Sequence, residues 1–317
     1  MSCLFYIGKN NNPRITIMNA PSSLRSPVTR LYQPGVEVSP FVRAFILRDT
    51  RGSALQGDQL LNRFPASAHC LLIWFLDGEV ELLHDAGGQL GTRISGCVAS
   101  GCHTQPAVSR SSGEVRTFMA MFYPDAFHAL FGVDLALLQN RSLPVRDILP
   151  PRALELVDAV EAAPSDAARQ ALVEAFVMEH TQHNKQAALP AWLRIRRMGS
   201  RITLGMASGM LGIGPRQLQR LALREAGAKL QTLMRLRRGE RSFLRAQRMV
   251  GNGEPLALAD HALACDYADQ SHMARECKAQ TGRTPAQLAR DVLHEEADWI
   301  YRLEFADDED APPTGST

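Results

Sequence analysis

The segment ALACDYADQSHMARECKAQTGRTP, which runs from Ala262 to Pro285, carries the most specific fold signal in the chain. A short helix that ends near the turn Cys265-Asp266-Tyr267 is followed by Asp269, a residue type that caps the N-termini of helices. A second helix is therefore predicted to start just after Asp269. The order helix, tight turn, helix is that of a DNA-binding unit whose second helix enters the major groove.

The same pattern occurs a second time, at an offset of 55 residues. Leu218-Gln219-Arg220, six residues and Gly227 correspond to Met273-Ala274-Arg275, six residues and Gly282. In the upstream copy the turn is Gly212-Ile213-Gly214, and Pro215 suits the first position of a helix. The sequence thus predicts two helix-turn-helix units, the first unit around Gly212 to Gly227 and the second around Cys265 to Gly282.

Positive charge is concentrated in and after the first unit. The 317 residues carry a formal net charge of only +2, but fourteen basic residues, thirteen of them Arg, lie between Arg194 and Arg248 against two acidic ones, a local net of +12. Residues 249–292 hold four basic and six acidic residues. Such a concentration is typical of a surface that follows DNA phosphates, although charge alone equally allows a solvated helical face.

With these motifs, the chain resembles the AraC/XylS family of bacterial transcription regulators over about residues 196–290. Upstream, residues 119–134 look like the end of the β-rich sensor domain found in one branch of that family. The resemblance implies a non-enzymatic regulator, without a cofactor, that binds a double-stranded DNA operator. It further implies an activator that works with RNA polymerase, responds to a small-molecule effector and can form a homodimer.

This chain departs from the family pattern at several positions, including Cys277, where the family usually has Phe, and Lys229-Leu230, which replaces a common Ser-Pro. Asp266 stands where the family usually has a turn Gly, and His261 stands where it has an aliphatic residue. Gly239 interrupts the helix that should join the two units, at a cost of ~1 kcal/mol relative to Ala. We therefore expect a second unit of reduced stability and a less rigid connection between the units.

Helical spacing separates the core-facing residues from those that should contact bases. In the first unit, Leu218, Leu221 and Ala222 follow i, i+3, i+4 spacing and should face the core. By resemblance, the opposite face contacts bases with Arg216, Gln219 and Arg220. Arg and Gln can make bidentate hydrogen bonds to guanine and adenine, respectively. For Arg220 an internal salt bridge is the alternative.

In the second unit, Met273 and Cys277 mark the core face. The residues left toward DNA are Gln270, Ser271, His272, Ala274 and Arg275. For Gln270 and His272 simple solvent exposure is the alternative. Phosphate contacts are assigned to Arg224, Arg237, Arg238 and Lys278, with plain surface charge as the alternative.

The first part of the chain is predicted to be β-rich. An apolar run from Cys70 to Leu76 meets Asp77-Gly78 and is followed by alternating residues, which predicts a β-hairpin. A further strand-like run ends at Pro124, and helical patterns follow. Aromatic side chains such as Trp74 and Phe122 could line an effector pocket, although ordinary core packing is the alternative.

These observations predict an α+β protein. A β-rich sensing or dimerisation domain with following helices spans residues 1–188, an all-α domain of two helix-turn-helix units joined by a helix spans 189–292, and an acidic, disordered tail spans 293–317. Apolar runs are too short for a membrane span and the N-terminus lacks signal-peptide features, so a cytoplasmic protein is expected.

Two other functions stay open from the residues alone. Cys97, Cys102 and His103 lie close in sequence, but they lack a fourth ligand and a common zinc spacing, so no metal site is predicted. A nucleophilic Cys102 or Cys70 paired with His would need an activating motif that is not present around either cysteine. The rival hypotheses are a first half that only dimerises and an enzyme fused to a DNA-binding domain.

Overall fold

The computed structural model describes residues 25–84, 86–183, 203–252, 254 and 257–305. Within these residues, nine strands come first, one helix and a tenth strand follow, two further helices complete the N-terminal part, and six helices form the C-terminal part. The predicted α+β class, with a β-rich first half and a helical second half, is confirmed. The predicted domain boundary at 188/189 lies outside the described residues.

The strands form two antiparallel sheets. In chain order they are β1 (Val28–Tyr32), β2 (Val42–Asp49), β3 (Leu61–Phe64), β4 (Cys70–Asp77), β5 (Val80–His84), β6 (Arg93–Ile94), β7 (Cys97–Ser100), β8 (Ala107–Ser111), β9 (Arg116–Phe122) and β10 (Ser142–Pro144). The larger sheet has the order β1-β2-β9-β4-β7-β10, and the smaller has the order β3-β8-β5-β6.

Helices α1 (Pro124–Phe131), α2 (Pro151–Ala162) and α3 (Asp166–His183) cover one face of the larger sheet. The main hydrophobic core lies between them and the sheet. Strand β2 is buried along nearly all its length because both sheet faces are covered. Phe45 of β2 packs into the main core, and the next residue, Ile46, packs on the other face against Trp299.

Strands β4 and β5 do not form the predicted hairpin. Strand β4 pairs with β7 and β9 in the larger sheet, whereas β5 pairs with β6 and β8 in the smaller one. The turn signal itself is correct, since Gly78 has φ 76°. A Cβ at Gly78 would lie 2.4 Å from the carbonyl oxygen of Glu114. The turn therefore packs tightly against Glu114 at the point where the chain passes from one sheet to the other.

Six helices lie in the C-terminal residues that the structure describes. They are α4 (Leu204–Leu211), α5 (Pro215–Ala226), α6 (Leu230–Gly251), α7 (Leu258–Ala264), α8 (Gln270–Thr281) and α9 (Pro285–Asp291). Helices α5 and α8 each have 12 residues, and their first residues are separated by the predicted offset of 55. No helix in the described ranges is long and apolar enough to cross a bilayer.

The prediction of a disordered tail over residues 293–317 is wrong for the first part of that segment. Residues Glu296–Arg302 form a short 3-10 helix in which Trp299 and Tyr301 are 2% and 4% exposed. The acidic composition of residues 307–310 suggested disorder for the whole segment, but the preceding aromatic residues bury against the sheet. Residues 306–317 lie outside the described residues.

Candidate nucleic-acid interface

The first unit is built from α4, a three-residue turn and α5. Gly212 adopts a left-handed conformation (φ 64°) that ends α4, and Pro215 begins α5. Leu218 and Ala222 of α5 are fully buried against α4 and the start of α6. The opposite face of α5 is therefore turned outward.

Three predicted base-contacting residues lie together on that outward face. Arg216 and Arg220 are exposed, and Gln219 is half-buried between them. With Lys229 and Gln231 they line an open groove of about 690 Å³. Because the groove gathers guanidinium, ammonium and carboxamide groups, it presents hydrogen-bond donors to an anionic, acceptor-rich partner.

The second unit repeats this geometry with α7, a turn and α8. The carboxylate of Asp269 accepts a hydrogen bond from the backbone N–H of His272 at 2.7 Å, which confirms the expected N-cap. Asp266 has φ 59°, the left-handed conformation that Gly adopts at lower cost. Its carboxylate lies 3.0 Å from Arg241 of α6, so the side chain also ties the turn to that helix.

His261 lies in the core of the second unit and is 4% exposed. Its Nε2 lies 3.0 Å from both the hydroxyl and the carbonyl oxygen of Ser242. Burial, more than the opposing hydrogen bond to the Ser242 backbone, lowers the pKa of His261. The histidine is therefore a neutral core residue held by α6.

The predicted contact residues of α8 fall into two groups. Gln270, Ser271, Arg275 and Lys278 are exposed, whereas His272 and Ala274 are half-buried. The Nε2 of His272 lies 3.3 Å from Glu276, and its ring packs edge-on against Tyr267. The structure therefore holds His272 beside its own turn, and its contact with DNA stays a prediction.

The four predicted phosphate contacts differ in their surroundings. Arg224 is exposed and pairs with its neighbour Glu225. Arg238 of α6 pairs with Glu276 of α8 and lies 4.8 Å above the ring of Tyr267. This position joins α6 to the second unit, so a positioning role competes with the phosphate assignment for Arg238. Arg237 is half-buried on α6.

Helix α6 is continuous through Gly239, contrary to the expected interruption. A Cβ at this position would lie 1.8 Å from the side-chain oxygen of Gln280 in α8. Gln280 is 5% exposed and donates from Nε2 to the carbonyl oxygen of Arg235 at 3.0 Å. Gly239 therefore allows α8 to approach α6 closely. Sequence reasoning did not single out Gln280, because a polar residue near a helix end carries no packing signal.

The N-terminal part contacts both units at the C-terminal ends of their second helices. A cluster of buried, mostly small residues comprises Ala66, Ala68, Cys102, Ala226, Ala228, Leu233 and Leu236. The backbone N–H of Ala66 donates to the carbonyl oxygen of Gln280 at 2.7 Å. Glu240 of α6 lies 3.7 Å from Arg43 and 3.8 Å from His69. These contacts leave the outward faces of α5 and α8 open.

The remaining predicted site residues lie in the N-terminal core. Trp74 and Phe122 are 1% and 0% exposed, and the indole N–H of Trp74 donates to the carbonyl oxygen of Val157 at 3.2 Å. Core packing accounts for both, and their part in an effector pocket stays a prediction. Burial raises the pKa of the Cys102 thiol to about 12 and that of Cys70 well above its usual value. Both groups are thiols rather than nucleophilic thiolates at neutral pH.

Comparisons with known proteins match two segments of the chain. Residues 207–291 match the family described as a helix-turn-helix domain, and residues 30–144 match a domain of unknown function (DUF6597). No curated protein gives a match. The helix-turn-helix match spans both units and the whole of α6 between them.

Solved structures of ToxT from Vibrio cholerae are similar to this chain. An apo variant from strain SCE256 is 14% identical with a TM-score of 0.42, over 77% of this chain and 96% of that chain. A second ToxT structure is 12% identical with a TM-score of 0.42, over 83% and 97%. ToxT with a bound unsaturated fatty acid is 12% identical with a TM-score of 0.38, over 84% and 96%.

Proposed function

We propose that this chain, whose residues 207–291 form an AraC-type helix-turn-helix domain, is a transcription regulator that contacts bases in two successive major-groove segments. The observation that carries the proposal is the pair of 12-residue helices, α5 and α8, each with an exposed polar face. Two such helices fit grooves that face the protein one helical turn apart, at a distance of ~34 Å.

Within this proposal, α5 supplies most of the affinity. Its outward face carries Arg216 and Arg220, and the surrounding segment has a strong positive balance. In α8 the exposed basic residues are Arg275 and Lys278, and acidic side chains in the second unit offset them. Because each phosphate contact releases counterions, binding should depend steeply on salt mainly through the first unit.

We also propose that the N-terminal part controls the DNA-binding domain. Support comes from its contacts with both units, through the buried small-residue cluster and through the hydrogen bond from Ala66 to Gln280. A small-molecule effector would act by changing this contact, and RNA polymerase and a second copy of the chain are the further partners of the proposal.

The test is selection of binding sites from random duplexes with the purified full-length chain. We expect a bipartite motif whose two parts are centred about 10.5 base pairs apart. The double variant Arg216→Ala/Arg220→Ala should select only the part contacted by the second unit, or none. Failure of the unsubstituted chain to enrich any sequence at low salt would overturn the proposed function.

A further inference from the structure

The residues after α9 form a structural element that neither matched family includes. The helix-turn-helix match ends at residue 291. Residues 296–303, which we name the C-terminal clasp, lie between the larger sheet and the helices of the DNA-binding domain. Its buried residues are Ala297, Asp298, Trp299, Tyr301 and Leu303. The clasp contacts three separate parts of the molecule.

The first contact is with the N-terminal sheets. The indole N–H of Trp299 donates to the side-chain oxygen of Asn62 at 2.9 Å, and the Arg48 guanidinium lies 5.2 Å from the indole ring. The ring also packs edge-on against Phe64. With Leu303, Trp299 fills an apolar cluster on the sheet face opposite the main core, against Ile46. Trp299 thereby anchors the clasp to the N-terminal part.

The second contact is with the end of α8. Asp298 is fully buried, and its two carboxylate oxygens each accept a hydrogen bond from Arg283 at 2.6 Å. Arg283 directly follows Gly282, the residue that ends α8. Arg63 of β3 lies 3.6 Å from the same carboxylate. One buried carboxylate therefore joins a guanidinium of the second unit to a guanidinium of the N-terminal sheet.

The contact with this carboxylate stabilises the charged form of Arg283. Burial alone lowers the pKa of the Arg283 guanidinium, but the hydrogen bonds and the attraction of Asp298 outweigh it, so the net pKa is raised. A bidentate pair between Arg and a carboxylate also fixes the relative orientation of the two groups. The end of α8 is thus held in one orientation relative to the clasp.

The third contact is with α6, the helix that joins the units. The side-chain amide of Gln247 donates to the carbonyl oxygens of Tyr301 and Leu303, at 3.4 and 3.2 Å. Phe243 packs edge-on against the Tyr301 ring, with centroids 5.6 Å apart. The clasp therefore holds α6 and the second unit against one rigid sheet.

We propose that the C-terminal clasp selects the spacing between the two half-sites, with Asp298 and Trp299 as positioning residues. The inference rests on the proposed function. Each base pair added between half-sites moves the second by ~3.4 Å and turns it by roughly 35° around the duplex. Two units held in one relative position can bind both half-sites only at one spacing. A second unit that is free to move relative to the first can bind its half-site at several spacings.

The experiment measures the affinity of the full-length chain for duplexes carrying both selected half-sites at centre spacings from about 8 to about 13 base pairs. Asp298→Asn removes the charge at the contact with α8, and Trp299→Phe removes the hydrogen bond to Asn62 without touching the DNA-binding domain. Glu295→Gln is the matched control, since it also turns an acid into an amide but at a carboxylate 49% exposed and 3.9 Å from Arg63.

We expect the unsubstituted chain and Glu295→Gln to prefer one spacing by roughly tenfold over a spacing two base pairs away. In Asp298→Asn and Trp299→Phe this preference should fall below roughly threefold, while affinity for a duplex with only the first half-site stays within about twofold. The two variants alter different contacts of the clasp, that of Asp298 with Arg283 and that of Trp299 with Asn62. A positioning role predicts that both have the same effect on the spacing preference.

Several results would overturn the inference. An unchanged spacing preference in both variants would mean that the clasp does not set the spacing. Loss of binding to the single first half-site in both variants would indicate a general role in folding instead. An unsubstituted chain that binds both half-sites at every spacing also contradicts the inference, but leaves the proposed function intact. An unsubstituted chain that binds no duplex overturns the proposed function itself.

Discussion

Arginine residues along α5 share one chemistry but have different surroundings. Arg220 lines the open groove with Arg216 and Gln219, on the face opposite the buried Leu218. Arg224, one turn further along, pairs with Glu225, which itself lies near His128 of α1. Bidentate recognition of a base needs a guanidinium free to align with its edge, which the position of Arg220 favours.

Arg220→Ala should therefore reduce discrimination at specific bases in one half-site. The expected loss is ~1–3 kcal/mol for the preferred base and little for the others at that position. Arg224→Ala is the matched control, because it removes the same side chain from the same helix. It should weaken all sequences alike and lower the salt slope by about 1.

Fluorescence anisotropy against a set of single-base operator variants, repeated at several salt concentrations, measures both effects. If Arg220→Ala keeps the unsubstituted base preference and only lowers affinity uniformly, the assignment of α5 as a base-contacting helix is wrong.

At the scale of elements, the contact between α6 and α8 decides how rigidly the two units are joined. In an isolated helix, replacing Gly239 with Ala would stabilise the helix by ~1 kcal/mol. Here a new Cβ meets the side chain of Gln280, which is buried and hydrogen-bonded to Arg235. If that amide moves, a buried polar group loses its hydrogen-bond partner, which costs ~1–3 kcal/mol of folding free energy.

Gly239→Ala should accordingly lower the free energy of unfolding of the helical domain, by about 1 kcal/mol net. In the Gln280→Ala variant, Gly239→Ala should be neutral or stabilising, because the side chain that the new Cβ would meet is no longer present. Gly251→Ala, at the C-terminal end of α6 where a Cβ meets nothing within 4 Å, is the control and should not lower the free energy of unfolding.

Urea unfolding followed by circular dichroism gives these values for the two single variants, the Gln280→Ala variant and the double variant. Additive effects of Gly239→Ala and Gln280→Ala would contradict the contact, since residues that touch should show a coupling energy.

The elements that local signals define could be predicted from the sequence. The repeat offset of 55 placed both 12-residue helices, because Pro215 and Asp269 fix their starts and Gly227 and Gly282 fix their ends. The outward position of Arg216 and Arg220 also follows from helical periodicity, since the buried face of α5 has a regular apolar spacing.

What depends on distant contacts could not be predicted. The turn at Gly78 has the composition of a hairpin turn, but β5 pairs with β6 and β8 of the other sheet, and the turn residues carry no signal of those partners. Trp299 gave no signal of order, because its partners Asn62 and Ile46 are more than 200 residues away in sequence. Helix propensity alone predicts an interruption at Gly239, whereas its neighbour in space, Gln280, explains why a glycine stands there.

In the whole molecule, the DNA-binding domain packs on the N-terminal part through several contacts, among them the small-residue cluster and the side chain of Glu240. Glu240 of α6 lies between Arg43 and His69, which are 5% and 4% exposed. The carboxylate of Glu240 is the negative charge that α6 presents to these two side chains of the N-terminal part. Replacing this negative charge with a positive one therefore affects the junction rather than the hydrophobic core of either part.

Glu240→Lys should open the junction while both parts stay folded. The new ammonium faces the buried Arg43 guanidinium from a half-buried position, and the two like charges repel each other. The amide of Ala66, which donates to Gln280 across the junction, should exchange with deuterium at least about tenfold faster.

Two controls separate this effect from unfolding. The amide of Ala120 in the middle of β9 should keep its exchange rate, because it reports on the core of the larger sheet. Glu155→Lys, the same charge change on the exposed face of α2, should alter neither amide. Equal protection of Ala66 in Glu240→Lys and the unsubstituted chain would mean that the other contacts, among them the small-residue cluster and the clasp, hold the two parts together without Glu240.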